Sequence, residues 1–189
     1  MKPLHYRLFA ITSPIKQVLL TAPLLITGAV ALAASNTETT HADPTPVLAL
    51  YQTVDNNTEP ACAFDLPALG SGTTAKFFPK KTCPEVEDDP IEPHAIRIRN
   101  MPIASKFLLT DNERCEKTDS AWVELETTRA NASLEKLGID KIWTYSGYLT
   151  NAGLDSNAPS RGFKVIARGN PIKQGELTCV TVSTSVGSK

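Results

Sequence analysis

Four cysteines, one isolated histidine and a run of carboxylates are the side chains of this chain that could do chemistry, and their spacing limits what that chemistry can be. Cys62, Cys83, Cys115 and Cys179 form no CxxC pair, and beyond residue 33 the only histidines are His41 and His94. Zinc would require closely spaced thiolates or a thiolate–imidazole set, so no metal ligand set is assigned here. An even cysteine count behind an export-type N-terminus reads instead as two disulfides. Four cysteines allow three connectivities. Cys62–Cys83 and Cys115–Cys179 are favoured, the first bracketing what reads as one hairpin, the second tying the last strand to the middle of the chain. In the chain-entropy model loops of these lengths contribute about 3 to 4 kcal/mol each. Oxidised cysteines leave no thiol nucleophile.

His94 stands in Ile91-Glu92-Pro93-His94-Ala95. Acid–base or nucleophilic catalysis needs a group titrating near working pH, or a nucleophile held against a base. No GxSxG elbow accompanies this histidine. It reads as a loop residue at the mouth of a strand, and no catalytic residue is assigned. The carboxylates Glu85, Glu87, Asp88, Asp89 and Glu92 crowd into CPEVEDDPIEPH. Glycoside hydrolysis needs two carboxyls facing each other across a cleft, whereas neighbours on a proline-rich loop point apart. The segment therefore reads as a solvated acidic loop, a candidate binding loop stiffened by proline, with calcium as the one cation such oxygens would suit. Trp143, Tyr145 and Tyr148 complete the set. On a strand, 143 and 145 share a face, so exposed rings there would serve sugar or peptide binding and buried ones the core.

The elements that must position these residues are short strands. The chain opens with Lys2, Arg7 and Lys16, no acidic residue before Glu38, and the apolar run QVLLTAPLLITGAVALA. A basic region, an apolar stretch and small residues at Ala31 and Ala33 make residues 1–33 a signal peptide cleaved after Ala33. The run is shorter than the ~20 residues a bilayer core requires, and Pro23 interrupts it, so no membrane span is expected after cleavage. Residues 34–46 read as a flexible leader and 47–189 as a single disulfide-bonded β domain, secreted or periplasmic. Without Lys2, Arg7 and Lys16 the chain has 16 basic residues against 20 acidic ones, near minus four, which argues against a nucleic-acid partner. The clearest alternation is AIRIRN, with Ile96 and Ile98 on one face and Arg97 and Arg99 on the other. Further strands are expected at 47–53, 61–65, 75–78, 105–110, 121–127, 142–149, 162–168 and 177–184. Prolines 79, 84, 90, 93 and 102 exclude helix from the middle of the chain. One short helix is expected over 130–137, closed by Gly138. Nine short strands predict a mainly β Greek-key sandwich or barrel.

The run Ala61 to Gly72 (ACAFDLPALGSG), the strand Lys76-Phe77-Phe78, the pair Cys83-Pro84 and the strand AIRIRN resemble a Greek-key unit of the βγ-crystallin superfamily. Residues 106–127 are similar to the start of a second unit, so the resemblance spans roughly 60–127. It implies a βγ-crystallin-like fold and places calcium ligands at Asp111 and Asn112, although Cys115 and Glu116 stand where the family has hydroxyls. Asp55-Asn56-Asn57-Thr58 has a similar composition, which turn chemistry alone explains. Exported relatives of this fold include inhibitors and toxins. The expectation is an exported, non-enzymatic binding domain acting on a macromolecule, with no required cofactor. The alternatives are an extracytoplasmic hydrolase using His94 or the acidic cluster, and a calcium-stabilised structural protein.

Overall fold

Alternation of apolar and polar residues along short segments builds two antiparallel sheets. The computed structural model describes residues 45–54, 59–68, 70–85, 88–149 and 160–186. Residues 1–44, on which the expected signal peptide and most of the expected leader fall, lie outside the described residues, as do Glu87 and the segment 55–58. In chain order the elements are β1 (Val47–Tyr51), β2 (Cys62–Asp65), β3 (Thr74–Phe77), α1 (Pro79–Thr82), β4 (Ala95–Met101), β5 (Lys106–Thr110), β6 (Trp122–Thr127), β7 (Ala132–Gly138), α2 (Ile139–Thr144), β8 (Phe163–Arg168) and β9 (Cys179–Ser183). One sheet has the order β2-β1-β4-β7 and the other β3-β9-β5-β6-β8. Among the described residues, no helix is long and apolar enough to cross a membrane.

The sheets share one core. Leu48 and Leu50 from β1, Ile96 and Ile98 from β4 and Leu134 from β7 meet Phe107, Leu109, Val123, Leu125, Phe163, Val180 and Val182 of the other sheet. The period-two pattern of β4 works as expected, with both isoleucines fully buried and Arg99 exposed. Each such side chain contributes about 1.5 to 3 kcal/mol on burial. The Phe107 and Phe163 rings add a tilted contact, with centroids 5.6 Å apart.

Four expectations are corrected. Residues 132–138 are strand, not helix. The apolar pair Leu134 and Leu137 has helical spacing, but the ladder to β4 shifts register there: Ile96 faces Leu137 while Ile98 faces Leu134. Three steps on β7 against two on β4 are a bulge, which brings both leucines to the neighbourhood of the core. Gly138 accordingly precedes a helix where it was expected to end one, and α2 buries Ile139 and Ile142. The expected strand 142–149 begins instead as the end of α2, and its last residues make a single bridge to β8 at Tyr148 and Lys164, with the Gly147 carbonyl accepting from the Val165 N–H and the Leu149 N–H donating to the Phe163 carbonyl. There are two short helices, because Pro79 sits at the start of α1, where a missing N–H costs nothing. Finally, β2 and β3 are not a hairpin, for they belong to different sheets. The last leader residues are also tied down: the Pro46 carbonyl accepts from the Leu66 N–H at 3.0 Å and the Thr45 carbonyl from Asn100 Nδ2 at 3.1 Å.

Candidate binding end of the sandwich

Strand direction decides which connections meet. In the four-stranded sheet Leu50 pairs with Cys62, Tyr51 with Ala95 and Ala95 with Gly138, so the end of β1, the starts of β2 and β4 and the end of β7 lie together. In the five-stranded sheet Phe77 pairs with Val180, Thr110 with Cys179 and Trp122, and Val123 with Arg168. That gathers the ends of β3, β5 and β8 with the starts of β6 and β9. The two sets form one end of the molecule, because the Cys62–Cys83 disulfide joins them, Gly175 N–H donates to the Pro93 carbonyl at 3.0 Å, and Gln174 Nε2 donates to Asp140 Oδ1 at 3.2 Å. This end carries the long connections 78–94, 111–121 and 169–178. The opposite end is closed by shorter ones, such as 102–105 and 128–131.

Both disulfides anchor the loop end. Cys62 bonds to Cys83 just after α1, and Cys115, in the β5–β6 connection, bonds to Cys179 at the start of β9. Lys81 Nζ reaches Glu113 Oε2 at 3.2 Å, linking α1 to the 111–121 connection. On the acidic loop, Ile91 and Pro93 are buried and serve as anchors, while Glu85, Asp88, Asp89 and Glu92 are exposed. Asp88 takes a left-handed backbone with φ 69°, which aspartate tolerates. No salt bridge involves these four carboxylates among the described residues. Apart from Lys80 on α1, the lysines and arginines of the neighbouring connections pair with other carboxylates: Arg114 with Glu116 at 3.4 Å, Lys117 with Glu124 at 2.7 Å, Lys141 with Asp140 at 3.5 Å and Lys173 with Glu176 at 3.3 Å. The loop end therefore presents uncompensated negative charge.

An open cleft of about 600 Å³ lies among α1, the 111–121 connection and the 169–178 connection, lined by Lys80, Asp111, Asp119, Ser120, Asn170, Lys173 and Glu176. Its walls are fixed by the backbone. Trp122 N–H donates to the Asn170 carbonyl at 3.1 Å, Gly169 N–H returns to the Trp122 carbonyl at 3.0 Å, and Thr178 N–H donates to the Thr110 carbonyl at 3.0 Å. Most of these lining residues carry no local motif and were not singled out from sequence. The one sequence signal pointing to them is the Cys115–Cys179 pair, which forces the connections preceding each cysteine to the same place.

The other candidate residues are placed as follows. Asp111 Oδ1 accepts the Ala121 N–H at 2.9 Å and Asn112 Oδ1 accepts the Arg114 N–H at 2.7 Å, so these oxygens shape the turn. Among the described residues no group of three His, Cys, Asp or Glu side chains is arranged to hold a metal. His94 is half-buried and its backbone bridges the loop to the sheet, donating to the Tyr51 carbonyl at 2.8 Å and accepting from the Ile139 N–H at 2.9 Å. Its imidazole has no hydrogen bond to serine, aspartate or glutamate among the described residues.

No protein-family model matches this chain, and neither does any curated protein or solved structure. The aromatic residues must accordingly be judged on their contacts. Trp143 Nε1 donates to the Gly169 carbonyl at 2.7 Å, and the Arg168 guanidinium lies 4.8 Å from the ring centroid. The Trp122 ring has Lys117 Nζ 4.8 Å from its centroid and packs against Gly169, where a Cβ would fall 2.3 Å from Nε1. Cations and backbone thus occupy ring surface that a sugar would stack on. Tyr148 alone of the three expected rings is largely exposed, at 62%.

Proposed function

We propose that this chain is an exported, non-enzymatic binding domain, of inhibitor or toxin-like character, that engages a protein through the loop end of its sandwich. The observation that carries the reading is the gathering of three long connections, two disulfides and a polar cleft at that one end. Loops on a rigid scaffold are where binding groups concentrate, and bridged, proline-stiffened loops lose little conformational entropy on association. The disulfides are compatible with an extracytoplasmic compartment. Export through residues 1–33 belongs to the proposal, as does the implication of the βγ-crystallin resemblance over 60–127 that the domain is an inhibitor or toxin. The exposed carboxylates Glu85, Asp88, Asp89 and Glu92, without a salt bridge among the described residues, favour a basic partner surface, which they would steer and orient. No specific observation favours the hydrolase or the calcium-stabilised reading.

The test replaces three of the loop's five carboxylates with amides of nearly the same shape. In a triple variant Glu85→Gln, Asp88→Asn, Asp89→Asn, asparagine keeps the left-handed backbone at 88. Partners recovered from secreted fractions with the oxidised protein should bind this variant about tenfold more weakly, or worse, while Lys106→Gln at the opposite end leaves affinity unchanged. Equal affinity of the loop variant and the wild type contradicts the reading.

A further inference from the structure

We infer that the cleft among α1, the 111–121 connection and the 169–178 connection is a subsite for a basic side chain on an extended polypeptide segment. The inference rests on the binding reading above and specifies what the partner inserts.

Charge accounting within the cleft selects the ligand. Lys173 and Glu176 satisfy each other, through Nζ to Oε1 at 3.3 Å and the Lys173 N–H to Oε2 at 3.4 Å. Ser120 donates its hydroxyl to the Glu116 carbonyl at 2.9 Å, and no histidine lines the cleft, so it is not an activated nucleophile. Asp111 commits Oδ1 to the Ala121 N–H and keeps Oδ2. Asp119 and Lys80 have neither an ion pair nor a side-chain hydrogen bond among the described residues. What remains is the whole Asp119 carboxylate, one oxygen of the Asp111 carboxylate from the same connection, and a single ammonium from α1. An anion would meet two like charges, whereas a guanidinium or ammonium finds two carboxylates, with Lys80 left to donate to a neighbouring carbonyl.

That chemistry, a cation beside a carbonyl, is offered by an arginine or lysine within a peptide and by the free amino acid. The form of the site favours the peptide. The cleft is open, which lets a chain enter and leave, and its volume lies in the range of ligand sites generally. Its walls are held by the Cys115–Cys179 bridge and by the contact of the 169–178 connection with Pro93, so little ordering is needed on binding. It also adjoins the acidic loop, so one basic partner surface can reach both.

The experiment titrates isotopically labelled, oxidised protein by NMR with Ac-Ala-Ala-Arg-Ala-Ala-NH2, with the same peptide carrying Glu for Arg, and with free arginine. The arginine peptide should shift the amides of Asp119, Ser120 and Asn170 saturably at millimolar concentration. Asp119→Asn should weaken it about tenfold, while the glutamate peptide leaves those amides unmoved. Absence of saturable shifts, or equal shifts from the glutamate peptide, overturns the inference. Free arginine binding as tightly as the peptide overturns its polypeptide part. If a captured protein partner still binds in a manner sensitive to residues 85–89 while no peptide enters the cleft, the inference falls and the binding reading stands.

Discussion

Tyr51 shows how much a single side chain can be constrained on the outer face of a sheet. It is 1% exposed, with Lys136 Nζ 4.4 Å and the Arg97 Cζ 5.5 Å from its ring centroid, and its hydroxyl has no hydrogen-bond partner among the described residues. Burial pushes the phenol above its ordinary value, and Arg97 and Arg99 oppose that shift. For an acid the sign follows directly. The neutral phenol is the form the fold accommodates, so its contribution is intact below the unfolded value of about 10 and is lost as pH rises through the higher folded value. Tyr51→Phe should therefore leave stability at pH 7 unchanged or raise it by up to about 1 kcal/mol, since it removes an unpaired buried hydroxyl. It should also flatten the loss of thermal stability as pH rises above about 10. A clear destabilisation at pH 7 would show that the hydroxyl is paired in solution. Nothing in VLALY marks this tyrosine, because its surroundings come from β4 and β7, which are remote in sequence.

Elements were legible wherever one sheet face is buried and the other is wet, as in AIRIRN, where alternation survives into the fold. Legibility failed where a strand is covered on both faces. In β7, Glu135 and Lys136 are buried along with the leucines beside them, and Arg99 reaches Glu135 at 2.9 Å. Good helix formers at helical spacing then describe a bulged strand, because tertiary pairing outweighs local propensity. The disulfides were legible as pairs but not as geometry. Cys62–Cys83 does not staple a hairpin; it closes the side between the sheets, where Phe64 and Phe77 also meet with centroids 4.9 Å apart. Removing each bridge as a Cys→Ala pair should cost about 3 kcal/mol for Cys62–Cys83 and about 4 kcal/mol for Cys115–Cys179, following their sequence separations of 21 and 64. Denaturant titration checks the order, and an unchanged midpoint for either pair would show that native strain cancels the loop-closure gain.

At the scale of the whole molecule, the two ends of the sandwich differ in loop length, cross-linking and charge. The acidic loop was visible in sequence, but the cleft beside it was not, since Asp119 and Asn170 come from two further connections that only the strand order brings to α1. In the proposed function this cross-linked, acidic end is the surface that meets the partner. Amide hydrogen exchange of the oxidised protein, alone and saturated with a recovered partner, tests it most directly. Protection should appear in residues 79–94, 111–121 and 169–178 and be absent at the opposite end. Protection confined to 66–73, 102–105 and 128–131, with the loop end exchanging as in the free protein, would contradict it.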